Sequence, residues 1–204
     1  MATDQATTAP EPTARGVVVM DEASPVRLTR GGADMAAALR IGLGLLYLWA
    51  FIAQGFGVVY TNSTTNADGT VSYGWHFDQD SDAGWITSGF EHSPTGPYVD
   101  KTHGPLSWIP KNLPTGLDDF GWIFAIGGLG LALTFGFCMR IAAIGGFLLN
   151  ILIWFSSFPP SSNPIIDGEH MAFAFSLLLL MFLHADCRWG IGRWWRRHTP
   201  ALLH

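Results

Sequence analysis

Four long apolar runs alternate with polar segments along this chain, and their lengths set the first expectation. Residues 35–59 read MAAALRIGLGLLYLWAFIAQGFGVV, close to the ~20 apolar residues that a membrane-crossing helix needs. A second run covers 120–137. A third covers 141–158 and is ended by Pro159-Pro160, and a fourth covers 168–187. The second and third are separated only by Cys138-Met139-Arg140, a tight turn that predicts an antiparallel pair. Glycines at 42, 44, 55 and 57 in the first run and at 127, 128 and 130 in the second thin helix faces so that neighbours can approach closely. The pattern predicts an all-α membrane protein, a four-transmembrane-helix bundle with a long extracytoplasmic loop between helices 1 and 2.

That loop, residues 60–119, is polar, glycine-rich and aromatic, with Trp75, Trp85, Phe90, Tyr98 and Trp108 among its rings. It is too long for a simple connection. Its aromatic content predicts a folded cap lying on the membrane, with Trp and Tyr at the interface and a short amphipathic element near Asp82–Phe90. Residues 1–34 lack the apolar periodicity of a core and read as a disordered cytoplasmic tail. Residues 198–204 read as a short C-terminal tail. The basic, aromatic stretch Arg188–His198 reads as a segment that binds anionic lipid.

Composition agrees with a membrane chain. Hydrophobic residues make up 49% and charged residues only 13%, where a soluble domain carries about 25% charge. No basic cluster with a nucleic-acid motif is present, so nucleic acid is not an expected partner. The two cysteines, Cys138 and Cys187, form no CxxC, and no haem or flavin fingerprint is seen. His76, His92 and His103 in the loop have no close ligand spacing, and no metal site is expected. Charge also sets an orientation. Arg15, Arg27, Arg30, Arg40, Arg140, Arg188, Arg193, Arg196 and Arg197 fall on one side of a four-span layout, and only Lys101 and Lys111 on the other. By the positive-inside rule both termini are cytoplasmic, in a plasma-membrane protein.

Candidate chemistry gathers at Asn163-Pro-Ile-Ile-Asp-Gly-Glu-His170, the polar octet that opens the fourth run. Asp167 and Glu169 suit the positive end of a helix. With His170 they form a set capable of proton transfer at an interface. The plainer alternative makes Asp167 a helix cap, Glu169 a solvated charge and His170 a headgroup anchor. Gln54, near the end of the first run, reads as a helix-to-helix hydrogen bond or a ligand contact. Asn150, inside the third, reads as packing glue or a quinone-facing group. His184 reads as packing or interfacial.

Taken together, ALRIGLGLLYLWAF around Arg40, GFCMRIAAIGG at 136–146, NPIIDGEH at 163–170 and WGIGRWW at 189–195 resemble the DoxX/DoxD-like membrane proteins of actinobacterial type. The likeness covers residues 35–197. That family includes the large-subunit type of thiosulfate:quinone oxidoreductase. The resemblance implies a four-helix membrane bundle and electron transfer from thiosulfate to a membrane quinone. It makes Arg40, Arg140, Asn163, Asp167 and His170 positions to watch. With Gln54 and Glu169 they give a candidate set in which Asp167, Glu169 and His170 carry catalysis, while Arg40, Gln54, Asn163 and Arg140 bind substrate or quinone. The chain departs from its relatives at Ala53-Gln54, where an acidic–basic pair is common, and at Glu169. Quinone is then the expected acceptor, and a partner membrane or redox subunit is expected. A non-catalytic subunit that organises a respiratory or redox complex is the alternative.

Overall fold

A computed structural model describes residues 17–19, 27–65, 69, 71–77, 84–159 and 169–200. The chain opens with a short antiparallel pair, β1 (Val17–Val19) and β2 (Arg27–Thr29). Helix α1 follows over Arg30–Phe56. A hairpin, β3 (Val58–Thr65) with β4 (Val71–Phe77), starts the cap. Two short helices, α2 (Gly96–Val99) and α3 (Trp108–Asn112), continue it. Then come α4 (Thr115–Phe135), α5 (Met139–Ser156) and α6 (His170–Phe182), a 3₁₀ turn at Ala185–Cys187, and α7 (Gly192–His198).

Helices α1, α4 and α5 are each long and apolar enough to cross a membrane. α1 packs on α4, α5 on α6, and α4 on α5. Glycine sets the closest contacts. A Cβ on Gly44 of α1 would lie 2.6 Å from the Thr134 backbone nitrogen. One on Gly130 of α4 would lie 2.7 Å from that of Leu48. The backbones of α1 and α4 touch because neither position has a side chain. Gly42 and Gly128 meet nothing within 4 Å, so only part of the glycine pattern marks contact. Leu43, Leu133, Met139, Ala143, Leu177 and Leu180 form the buried core. Leu45, Leu46 and Ile52 on α1, Phe124 and Leu131 on α4, Ile144 and Leu148 on α5, and Phe175, Leu179 and Phe182 on α6 are exposed. Such an apolar outer surface suits lipid contact and not water.

Several boundaries differ from the pattern's expectation. The 1–34 segment is not wholly a free tail, because β1 and β2 pair and Leu28 packs on Ala33 and Cys187. α1 begins five residues early, where the Thr29 Oγ1 accepts from the Gly32 amide at 3.2 Å. It stops at Gly57, whose φ of 68° suits a residue without Cβ, although the apolar run continues. Val58 and Val59 therefore enter a strand, and the cap adds β-structure that the all-α reading lacked. The fourth run does not form one continuous helix. α6 has 13 residues, about 20 Å at 1.5 Å per residue. It ends before His184, which adopts φ 50°.

Candidate functional site

The cap is fastened to the helix ends by hydrogen bonds that those ends lack on their own. At the end of α1, the Trp85 amide donates to the Gln54 carbonyl at 3.0 Å and the Ile86 amide to that of Gly55 at 2.8 Å. Trp85 is buried against Ile123 and Ile126 of α4. At the end of α5, the amides of His103 and Gly104 both donate to the Ser156 carbonyl, at 3.1 and 2.8 Å. The Tyr98 hydroxyl donates to the Ile153 carbonyl at 3.0 Å and accepts from Ser157 Oγ at 3.2 Å. Close approach at both seams requires glycine. A Cβ on Gly84 would lie 2.2 Å from Phe56 backbone, and one on Gly104 2.0 Å from the Phe155 carbonyl oxygen. A third seam joins the cap to the start of α4. Asp119 is buried, and its Oδ1 accepts from Ser93 Oγ at 2.7 Å, Thr95 Oγ1 at 2.6 Å and the Thr95 amide at 3.2 Å.

Beneath these seams lies a cavity of about 420 Å³. Its walls are largely apolar: Leu113 from the cap side, Leu117 and Trp122 from α4, and Leu149, Leu152 and Ile153 from α5. Polar groups enter from every side. Gln54 comes from the last turn of α1, Thr95 and Tyr98 from the cap, Asp118 from the first turn of α4, Ser156 from the last turn of α5, and His170 from the first turn of α6. Trp122 Nε1 donates to Gln54 Oε1, so this carboxamide bridges α1 and α4 and also faces the cavity. Ser156 is 1% exposed, and its Oγ has no hydrogen-bond partner among the described residues. A buried hydroxyl in that state carries a desolvation cost of about 1–3 kcal/mol, which a ligand oxygen in the cavity would relieve.

The sequence candidates divide between the two ends of the bundle. Gln54 and His170 meet at the cavity, with Glu169 exposed beside it. Asn163 and Asp167 lie outside the described residues. Arg40 and Arg140 belong to the other end and do not line the cavity. Arg40 is 14 residues before Gln54 on α1, about 21 Å along the axis, and Arg140 is 16 before Ser156 on α5, about 24 Å. A single quinone site containing Arg40, Arg140 and Gln54 is therefore overturned by helix length alone. Pattern reading missed Asp118, Tyr98 and Ser156. The pair Asp118-Asp119, placed just after Pro114 and before an apolar run, was the available signal.

Arg40 is fully buried and is a structural pin. Its guanidinium donates to the carbonyls of Leu133, Thr134 (3.1 Å), Ala185 (3.2 Å), Arg188 (3.1 Å) and Trp189 (3.0 Å). The negative end of the α4 dipole favours this charge. Beside it, Arg196 makes a bidentate pair with buried Asp186, at 2.7 and 2.9 Å. Its Nη2 lies 2.7 Å from His184 Nδ1. Arg cannot accept, so Nδ1 is the acceptor and His184 carries its proton on Nε2. Arg188 pairs with Asp34 at 2.7 Å, and Arg193 donates to the Cys187 carbonyl at 2.9 Å. The basic segment expected to bind lipid thus places three of its four arginines on protein partners. In the α4–α5 turn, burial pushes the Cys138 thiol up, away from reactive thiolate.

Asn150 is buried in α5 and donates to the Tyr47 hydroxyl of α1 at 2.7 Å and to the Gly146 carbonyl at 2.7 Å. This is the packing role that the sequence favoured for it. Among the described residues, no three His, Cys, Asp or Glu side chains gather in a way that could hold a metal ion. No protein-family model, curated protein or solved structure matches this chain.

Proposed function

We propose that this chain is a four-span plasma-membrane protein of DoxX/DoxD type that serves a quinone-linked oxidoreductase, with its cavity receiving the quinone ring. One observation carries the reading. Gln54, Ser156 and His170, from the ends of three different helices, line one mainly apolar cavity beneath the cap. A ring with two carbonyl oxygens needs apolar walls for its faces and a few convergent hydrogen-bond groups for its edges. The Ser156 hydroxyl and the His170 imidazole supply such groups.

On this reading α6 is the core of the fourth span, completed by Glu169 and by residues 183–187. Its exposed Phe175, Leu179 and Phe182 are compatible with lipid contact. The concentration of arginines at the end opposite the cap supports a cytoplasmic position for that end. The cap then faces outward, where a sulfur oxyanion arrives. Two thiosulfates joined by a new S–S bond release two electrons, and the quinone takes those electrons with two protons. His170 is the group placed to supply a proton. A partner redox subunit completes the path from donor to quinone.

The test is thiosulfate-dependent quinone reduction in membranes that carry the inserted protein, with His170→Ala beside it. General acid–base catalysis contributes about 10²–10⁴-fold, so the variant should lose most of the turnover and still insert. Wild-type turnover in His170→Ala would remove His170 from the mechanism.

A further inference from the structure

Of the two adjacent carboxylates at the start of α4, Asp119 is given over to the cap seam, while Asp118 lines the cavity. Asp119 Oδ1 receives two hydroxyls and an amide from Ser93 and Thr95, which fixes it as the tie between cap and helix. Asp118 points its surface to the cavity that holds His170. Its neighbours are the Thr95 hydroxyl and Asp119 itself. Both Asp118 and His170 sit in the first turns of their helices.

Among the described residues, the titratable side chains lining the cavity are Asp118, Tyr98 and His170. Tyr98 already donates to Ile153 and accepts from Ser157. Lys111, the cation of α3, donates to the Thr102 carbonyl at 2.6 Å. Glu169, beside His170 in the chain, is exposed. The described lining therefore offers one carboxyl and one imidazole for proton exchange with a bound ring.

We propose that Asp118 is the second acid–base group of this site, beside His170 on the wall of the same cavity. The inference rests on the quinone reading above and extends it. The ring takes two electrons from the thiosulfate-class donor. It takes one proton from the carboxylic acid form of Asp118 and one from the protonated imidazole of His170, and both groups are reprotonated from water on the cap side.

The experiment uses the purified full chain with decylubiquinone as probe, and it requires no physiological donor. Binding is followed by quenching of tryptophan fluorescence, since Trp122 lines the cavity. The midpoint potential of the bound quinone is then titrated against pH for the wild type, Asp118→Asn and Asp118→Glu. Ionised Asp118 opposes electron uptake, so the wild-type profile should inflect where Asp118 titrates, with the potential lower on the alkaline side. Asp118→Asn should lose that inflection and hold a higher potential above it, with decylubiquinone affinity within about threefold of wild type. Asp118→Glu should restore an inflection. Superimposable profiles in wild type and Asp118→Asn, with the probe bound in both, overturn the role of Asp118 and leave the quinone site standing. Absence of decylubiquinone binding to the wild type overturns the quinone site and this inference with it.

Discussion

Arg40 Nη2 donates to the carbonyl oxygen of Trp189 at 3.0 Å, across 149 positions of the chain. The same guanidinium reaches Leu133 and Thr134 at the end of α4 and Ala185 after α6. One side chain thus satisfies carbonyls that the ends of two helices and the loop beyond leave without helical partners. A buried charge is tolerable when its donors are matched in this way.

Arg40→Ala should be strongly destabilising. It removes the shared donor and leaves several buried carbonyls unpaired, each costing about 1–3 kcal/mol. Arg40→Lys should recover only part of the loss, since an ammonium cannot reproduce the planar fork. The check is thermal unfolding in detergent, followed by size-exclusion profile. A melting temperature for Arg40→Ala equal to that of wild type would show that the pin carries no weight.

Tyr47 and Asn150 should couple. The bond from Asn150 Nδ2 to the Tyr47 hydroxyl, at 2.7 Å, joins α1 to α5 within the bundle. Interhelical hydrogen bonds in membranes average about 0.6 kcal/mol in double-mutant cycles. A cycle of Tyr47→Phe and Asn150→Leu, read by reversible unfolding in mixed micelles, should return a coupling of about that size. Strict additivity would mean that the bond contributes nothing to stability.

Gly104→Ala should loosen the cap, and Gly128→Ala should not. The first would set a methyl 2.0 Å from the Phe155 carbonyl oxygen, at the place where two amides hold the Ser156 carbonyl. The second meets open space. Limited proteolysis of the cap should therefore accelerate in Gly104→Ala alone. Equal digestion rates in the two variants would detach the cap seam from Gly104.

Much of the bundle was legible because burial in lipid leaves a one-dimensional trace. Apolar runs of sufficient length announced α1, α4 and α5, and the arginines at 40, 140 and 188 marked one end. Helix ends were less legible. Gly57 and Gly136 stop α1 and α4 within or near apolar sequence, with φ of 68° and 76°, and a hydropathy pattern does not register backbone dihedrals. The cap hairpin was missed for a related reason. β3 and β4 pair through backbone groups, which leave no trace in hydropathy, although their Val, Thr, Tyr and Trp are residues that strands favour.

The site was half legible. His170 and Gln54 stood out as polar residues at the ends of apolar runs, and they do share a cavity. Arg40 stood out equally and serves another purpose, because sequence distance along a helix was not weighed against its axial length. Asp118 and Asp119 are identical in type and adjacent in sequence. Only the positions of Ser93 and Thr95 give one to the cap seam and leave the other facing the cavity.

By itself, the sequence marked four apolar runs, three of which form helices long and apolar enough to cross a membrane, and it marked where charge collects. These properties are local, set by the transfer free energy of each side chain and by the backbone freedom of each residue. Tertiary structure alone decided that the cap ties off α1 and α5, that Arg40 ties off α4, and that Gln54, Asp118, Ser156 and His170 meet. Each of those contacts joins residues far apart in the chain, and their hydrogen bonds depend on distances that no local pattern encodes.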